Sequence, residues 1–473
     1  MTTAPAHVAR PSVDELRARG KLARTHAAQD SHSGWTPSPD RPDPIGLLKE
    51  QNASREPDLI PVRHGRMSVS PFTFYRGTAK IMASDLNGTP TAGLNVQLCG
   101  DAHLSNFGAF ASPERTLLFD LNDFDETLPG PFEYDVKRLA ASFTIAARNN
   151  GFGKSDARAA TMSSVAAYRQ AMAEFAERGV LEIWYARMSD DDLLNLGLAA
   201  TAGSRKQKTL LAGAQRQLAK ARTHDNLQAL SKLAEHVDGR YRIVSQPPIV
   251  IPARELTEVF GPRDQIMERI EGQLRAYRTT LQDDRNRLLE NYELVDIARK
   301  VVGVGSVGTR AWIGLLEGRD EHDPLFLQVK EATASVLEDH LPKSRYRNHG
   351  RRVVEGQRMM QAASDIFLGW TEGVDVSRNY YWRQLRDMKG SAEVEAMTPI
   401  GMMTYAQACG WTLARAHARS GDRVAIAAYL GKSDKFDRSV TDFSQRYADQ
   451  NERDYEQFAK AIRTGELEAI QGV

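Results

Sequence analysis

The chain has 473 residues, 41% hydrophobic and 26% charged, with a net charge of +1. That length supports two or three domains and a large buried core, and the near-neutral balance gives no argument for nucleic acid or an anionic membrane as a partner. Two cysteines are too few for a disulfide framework, no run approaches the ~18 apolar residues of a membrane span, and the first ten residues hold no apolar signal core, so a cytoplasmic protein is expected.

Residues 1–60 are rich in Pro, Arg, Ser and Asp and predict an arm that packs on the body without a core of its own. Residues 72–86 place Phe74, Ile81, Met82 and Leu86 on or near one helical face. Asn95–Leu98 reads as a short strand and Leu117–Phe119 as another. Leu128-Pro129-Gly130-Pro131 predicts a forced turn, followed by a helix from about Glu133 to Asn149. The stretch 153–290 reads as mostly helical, at 155–188 and 207–236, with one proline-framed strand at Pro248–Pro252. Six basic and no acidic residues between Arg205 and Arg222 describe a solvated helix face, with a phosphate or acidic partner as the sharper alternative. From about 293 the texture turns to β, with strands at Ala311–Leu316 and Leu325–Lys330. A helix at 350–364 and strands at Ile366–Trp370 and Tyr380–Leu385 follow, and residues 391–473 are helical again.

Two stretches carry chemistry. In the first, Asp101 stands five residues before Asn106, and an apolar strand then delivers Asp123 and Asp125. Phosphoryl transfer uses such a set: one carboxylate takes the proton of the attacking hydroxyl, while an amide oxygen and a second carboxylate hold magnesium. Asp101 is thus the candidate base, and Asn106, Asp123 and Asp125 are candidate Mg2+ ligands. Asp120 competes with Asp123, but an extended strand would turn it to the opposite side. Asp101-x-His103 also has the spacing of metallohydrolase ligands, yet the other histidines form no matching cluster.

In the second stretch, Gly303-x-Gly305-x-x-Gly308 is followed by another strand, which suits a phosphate-covering hairpin better than a dinucleotide fold, whose glycines open a helix. Gly303, Gly305, Ser306 and Gly308 would cover the phosphates of ATP. Lys330, 22 residues past Gly308, would bind them. Glu355 is the preferred carboxylate for holding Lys330, ahead of Glu338, and the adenine-binding connection falls near Gln384 to Asp387. Ser420-Gly421-Asp422 fails as a catalytic loop, since Ala427 stands where a metal ligand is needed.

Cys99-Gly100-Asp101-Ala102-His103-Leu104-Ser105-Asn106 resembles the His-Gly-Asp-x-His-x-x-Asn loop of aminoglycoside and choline-type phosphotransferases, departing from it at Cys99. In that family a strand-end Asp lies about twelve residues before an Asp that opens a helix. Asp123 and Asp135 keep that separation, which favours Asp123 over Asp120. The chain is also similar to the bacterial family designated domain of unknown function 2252, through Arg66-Met67, Ser70-Pro71-Phe72, Arg76-Gly77, Asn122–Thr127, Gly130–Glu133 and Gln384–Gly390. That label supplies no reaction.

Kinase-like chains run glycine loop, lysine, helix glutamate, hinge, catalytic loop, metal aspartate, whereas here the catalytic loop and metal aspartate come first. The expectation is therefore an α+β, bilobal, circularly permuted protein-kinase-like fold. It comprises an arm (1–60), a helical lobe with the catalytic and metal loops (61–290), a smaller β-rich nucleotide lobe (291–390) and a helical segment completing the larger lobe (391–473). The expected function is ATP- and Mg2+-dependent phosphotransfer to a hydroxyl of an unidentified small molecule or protein. The alternatives are a nucleotide-binding regulator, a protein nucleotidyltransferase and, last, a metal-dependent hydrolase at Asp101 and His103.

Overall fold

Buried strands in this chain show continuous apolar runs, while its helices carry apolar stripes, and the two kinds of element segregate. The computed structural model describes residues 10–200, 207–223, 226–237, 239–256, 263–385 and 388–472. Strand β1 is Asn95–Leu98, β2 Phe107–Ala111, β3 Leu117–Leu121, β4 Leu128–Pro131, β5 Met188–Ser189, β6 Ala234–Val237 and β7 Arg240–Ile243. The later strands are β8 Val250–Pro252, β9 Glu293–Lys300, β10 Ala311–Glu317, β11 Pro324–Ala332, β12 Gly369–Glu372, β13 Asn379–Gln384 and β14 Gly390–Ser391. One antiparallel sheet runs β12-β13-β11-β10-β9-β8 and a smaller one β14-β2-β3-β5. β1 pairs with β4 and β6 with β7.

β11 is buried at every position, as a central strand covered on both faces should be. Its side chains alternate. Leu325, Leu327 and Val329 pack with Tyr277, Leu281 and Leu289, whereas Phe326 packs on the other face with Leu230, Leu233 and Ile243. Lys330 shares the parity of Phe326. The helices and strands between Asn226 and Leu289 therefore cover the sheet, and β8 extends it. This moves the boundary of the β-rich body well ahead of the expected residue 291.

The helical body centres on the helix Phe132–Asn149, buried at every residue from Phe132 to Ala147. Around it pack Lys154–Glu177, Pro399–Ser420, Arg423–Leu430 and Lys435–Arg463. No helix among the described residues is long and apolar enough to cross a membrane.

The arm packs on the body, as composition suggests, through two capped helices. Val13–His26 begins with a capping box between Ser12 and Glu15 and lies on Arg423–Leu430. Pro44–Asn52 begins with Asp43 accepting from the Gly46 amide and gives Ile45 and Leu48 to a core with Phe74 and Phe458. The single helix expected over 72–86 is two, Pro71–Arg76 and Ala79–Asn87. They part at Gly77, where an added Cβ would stand 2.6 Å from the Met67 sulfur. The forced turn expected at Leu128–Pro131 is instead β4. A two-stranded ribbon tolerates prolines whose missing N–H groups face away from the partner.

Candidate functional site

β1 hands the chain to the Cys99–Asn106 loop, and the first turn of the helix Phe132–Asn149 fixes that loop. Asp135 accepts the amides of Cys99 at 2.7 Å and Gly100 at 3.0 Å, and His417 stands 3.2 Å from the same carboxylate. Gly100 has φ +86°, and an added Cβ would lie 2.2 Å from the Glu126 carbonyl oxygen, so the turn requires glycine. Asp101 thereby enters a cleft of about 140 Å³ that Asn106, Asp123 and Asp125 also line.

The Oδ1 of Asp101 accepts from Arg138 Nε at 2.7 Å, and an Nη of the same guanidinium stands 2.6 Å away. Its backbone carbonyl accepts from Asn106 Nδ2 at 2.7 Å. Burial raises the Asp101 pKa to about 6; Arg138 pulls it down, while Asp123 and Asp135 push it up. His103 Nε2 lies 3.7 Å from Asp101 Oδ2, beyond hydrogen-bond range. Burial, then Arg138 and Arg76, hold His103 well below the ordinary imidazole value, so it is neutral.

The strand-end acids divide as the alternation of an extended strand requires. Asp120 turns away from the cleft to Arg415 and to the Ala362 amide. Asp123 lines the cleft and accepts the Asp125 amide at 3.2 Å. Asp125 accepts from Lys330 Nζ at 2.6 Å on one oxygen and from the Tyr381 hydroxyl at 2.6 Å on the other. Burial opposes the charge of Asp125, yet Lys330 and the Tyr381 hydrogen bond outweigh it and hold the carboxyl below its ordinary value. Burial likewise opposes the charge of Lys330, and Asp123 and Asp125 overcome it, raising the ammonium above its usual range.

Lys330 thus meets neither Glu355 nor Glu338, and the expected pairing is corrected. Glu355, on the helix His349–Met360, lies 3.9 Å from Arg358. The same helix faces the aspartate loop with Arg352 and Gly356, one turn apart. Arg352 donates to the carbonyls of Thr127 (2.7 Å), Asp125 (2.7 Å) and Thr333 (2.8 Å), and Gly356 lies against Thr127. An arginine holding the loop takes the place expected of a glutamate holding the lysine. The only hint in the sequence is a basic residue on that helix's buried stripe.

The glycine segment joins β9 to β10 as the expected hairpin connection, with Gly303 at φ +66° and Gly308 at φ +88°. Gly303, Gly305 and Ser306 line the cleft, and Ser306 Oγ lies 3.4 Å from Asp125. Gly308 faces the arm instead: its carbonyl accepts the Glu56 amide at 2.8 Å, and Arg55 donates to the neighbouring Val307 carbonyl. Gln384 stands apart from the cleft lining, its side-chain amide donating to Asn226 at 3.3 Å. Asp387, the far end of the expected adenine connection, falls outside the described residues.

Sequence reasoning missed the cleft residues Gln51, Ser54, Arg55 and Arg76. The available signal was the Arg76-Gly77 pair, read only as a point of resemblance. Among the described residues no three His, Cys, Asp or Glu side chains are grouped to hold a metal ion.

No curated protein and no solved structure matches this chain. The model of a family described as uncharacterised proteins conserved in bacteria, DUF2252, matches residues 55–461. That span takes in the Asp101 loop, the Asp123–Asp125 stretch, the glycine segment and Lys330, and the chain belongs to the DUF2252 family.

Proposed function

We propose that this protein is an ATP- and magnesium-dependent phosphotransferase acting on a hydroxyl, built as a circularly permuted kinase-like unit. The observation that carries the reading is the contact of Lys330 with Asp125, 205 positions apart, at a carboxylate that lines the cleft together with Asp101, Asn106, Asp123 and the glycine segment; Lys330 itself sits buried behind Asp125. On this reading a phosphate-handling half and a base-and-metal half, separable in sequence, would meet at one site. Within the second half the order is glycine hairpin, lysine strand, then helix, as in the kinase signature set.

The acidic half fits magnesium. Asn106 engages its Nδ2 with the Asp101 carbonyl, which leaves the amide oxygen as the open donor. The Asn122 amide donates to the Asn106 carbonyl at 2.8 Å and so sets Asp123 beside it. Hard oxygen donors of this number suit Mg2+, which is held by one or two carboxylates with substrate phosphates, not by an all-protein cage. Asn106 and Asp123 would hold the ion, with Asp125 in reserve. Bound there, Mg2+ neutralises phosphate charge.

Arg138 holds Oδ1 of Asp101 and leaves Oδ2 for the acceptor hydroxyl. A carboxyl with a pKa of about 6 is ionised at neutral pH yet basic enough to take a proton in the transfer step. The cleft of about 140 Å³ is smaller than the ~300 Å³ at the low end of ligand pockets, so ATP would fit only with the glycine segment withdrawn from Asp125.

ATP with Mg2+ is expected to raise the melting temperature above that with Mg2+ alone. Lys330→Met should lose that increment, whereas Glu355→Gln should keep it, since the Glu355 ion pair is partly exposed and worth no more than ~1 kcal/mol. An unchanged melting temperature would remove the nucleotide from this reading. ATP labelled in the γ-phosphate and in the adenine, incubated with bacterial small-molecule extract, identifies the transfer. The γ label should enter an acceptor, while adenine label on the protein would mean nucleotidyl transfer.

A further inference from the structure

Among the described residues two cations line the cleft, Arg76 and Arg55, and the transfer just described uses neither. The other cations nearby are engaged: Lys330 by Asp125 and Arg138 by Asp101, while Arg310 and Arg378 both pair with Glu331. Arg76 differs from all of these. It ends the helix Pro71–Arg76 and lines the cleft, and the described residues give its guanidinium no hydrogen bond or ion pair. Its Nε is shut off from solvent without a partner. The acids whose charge it feels are Glu395, which is exposed, and Asp101, which Arg138 already holds.

Arg55 lines the same cleft and is 8% exposed. One Nη donates to the Val307 carbonyl, and its Nε also lacks a partner. Glu126, Asp125 and Glu331 act on it through their charge, without an ion pair. A guanidinium withdrawn from water without a carboxylate is costly, and the planar fork of arginine matches phosphate and carboxylate oxygens. The glycine segment closes over this position: an added Cβ at Gly305 would lie 3.0 Å from the Arg76 carbonyl oxygen.

We propose that Arg76 and Arg55 form an oxyanion subsite beside Asp101 that takes a phosphate or carboxylate group. The subsite rests on the phosphotransferase reading for its chemical role: the group it holds is either the terminal phosphate of the nucleotide or an anionic group on the hydroxyl substrate. Arg76 is the leading member, because no described residue hydrogen-bonds or ion-pairs with its guanidinium.

Inorganic phosphate, titrated calorimetrically into the full chain, is the probe. It should bind the parent, bind Arg76→Gln about tenfold more weakly or worse, and bind Arg76→Lys at an intermediate level. Arg76→Gln should melt at or above the parent temperature, because it removes an uncompensated charge, whereas a purely structural arginine would lower it on loss. Equal phosphate affinity in parent and Arg76→Gln, or no binding by the parent, would overturn the subsite. Phosphate that still binds with a non-hydrolysable ATP analogue and Mg2+ present assigns the subsite to the acceptor; phosphate excluded by the analogue assigns it to the nucleotide. Arg76-dependent phosphate binding without any ATP-dependent rise in melting temperature would keep the subsite and remove the kinase reading. The converse would keep the kinase reading and remove the subsite.

Discussion

Asp101→Asn should reduce transfer by roughly 10²–10⁴-fold while leaving ATP affinity nearly unchanged. Asparagine keeps an oxygen for Arg138 and removes only the basic oxygen facing the cleft. Alanine is the poorer choice, because Arg138 is 2% exposed and would be left buried without its carboxylate. The pH dependence provides an independent readout. Burial raises the Asp101 pKa from 3.8 to about 6, so kcat/KM of the parent should fall as the pH drops through about 6 and the base is protonated. The stability effect has the opposite sign: a carboxyl whose pKa is raised by folding contributes fully below 3.8 and loses that contribution as the pH rises through about 6. Parent-like turnover by Asp101→Asn, or a residual rate that keeps the same acid limb, would show that another group accepts the proton.

Asp120→Ala should cost about 3–5 kcal/mol of stability, measured by urea unfolding followed by circular dichroism. Asp120 and Arg415 both have side chains 1% exposed. Asp120 accepts from Arg415 on one oxygen and from the Ala362 amide at 2.8 Å on the other, while Arg415 also donates to the Met360 carbonyl. The pair therefore ties β3 to the helix Pro399–Ser420 and to the end of His349–Met360. Removing one partner strands a charge in a closed interior. Replacing both, as Asp120→Leu with Arg415→Met, should recover most of the loss, since two apolar side chains desolvate no charge. A single-variant cost below about 1 kcal/mol would mean that water reaches the pair.

Much of the fold was legible residue by residue. Asn95–Leu98 is a strand with those bounds, and the expected helix Glu133–Asn149 begins one residue earlier, at Phe132. The strands expected at Ala311–Leu316 and Leu325–Lys330 are Ala311–Glu317 and Pro324–Ala332, which pair antiparallel, with the glycines in the connection before the first. These features are local: apolar period, turn chemistry and glycine at positive φ act over a few residues. The errors were equally physical. The helix expected over 72–86 ends at Gly77, which caps Pro71–Arg76 and leaves room for Met67 where a Cβ would stand. Residues 226–289 covered the sheet, and the periodicity of their helices records that a face is buried but not what it is buried against.

The sequence by itself determined the family, most of the strand and helix elements around the site apart from β4 and the break at Gly77, and the spacing of Asp101, Asn106, Asp123 and Asp125 on two adjacent loops. Tertiary structure alone decided that Lys330 meets Asp125 while Glu355 stays with Arg358, and that Arg352 holds the aspartate loop. It also decided that the arm and the helix Pro71–Arg76 bring Arg55 and Arg76 to the same cleft. The reason is that an ion pair is chosen by which groups are withdrawn from water together, and that is a property of the packed chain. Spacing along the sequence reports only which groups are available to be paired.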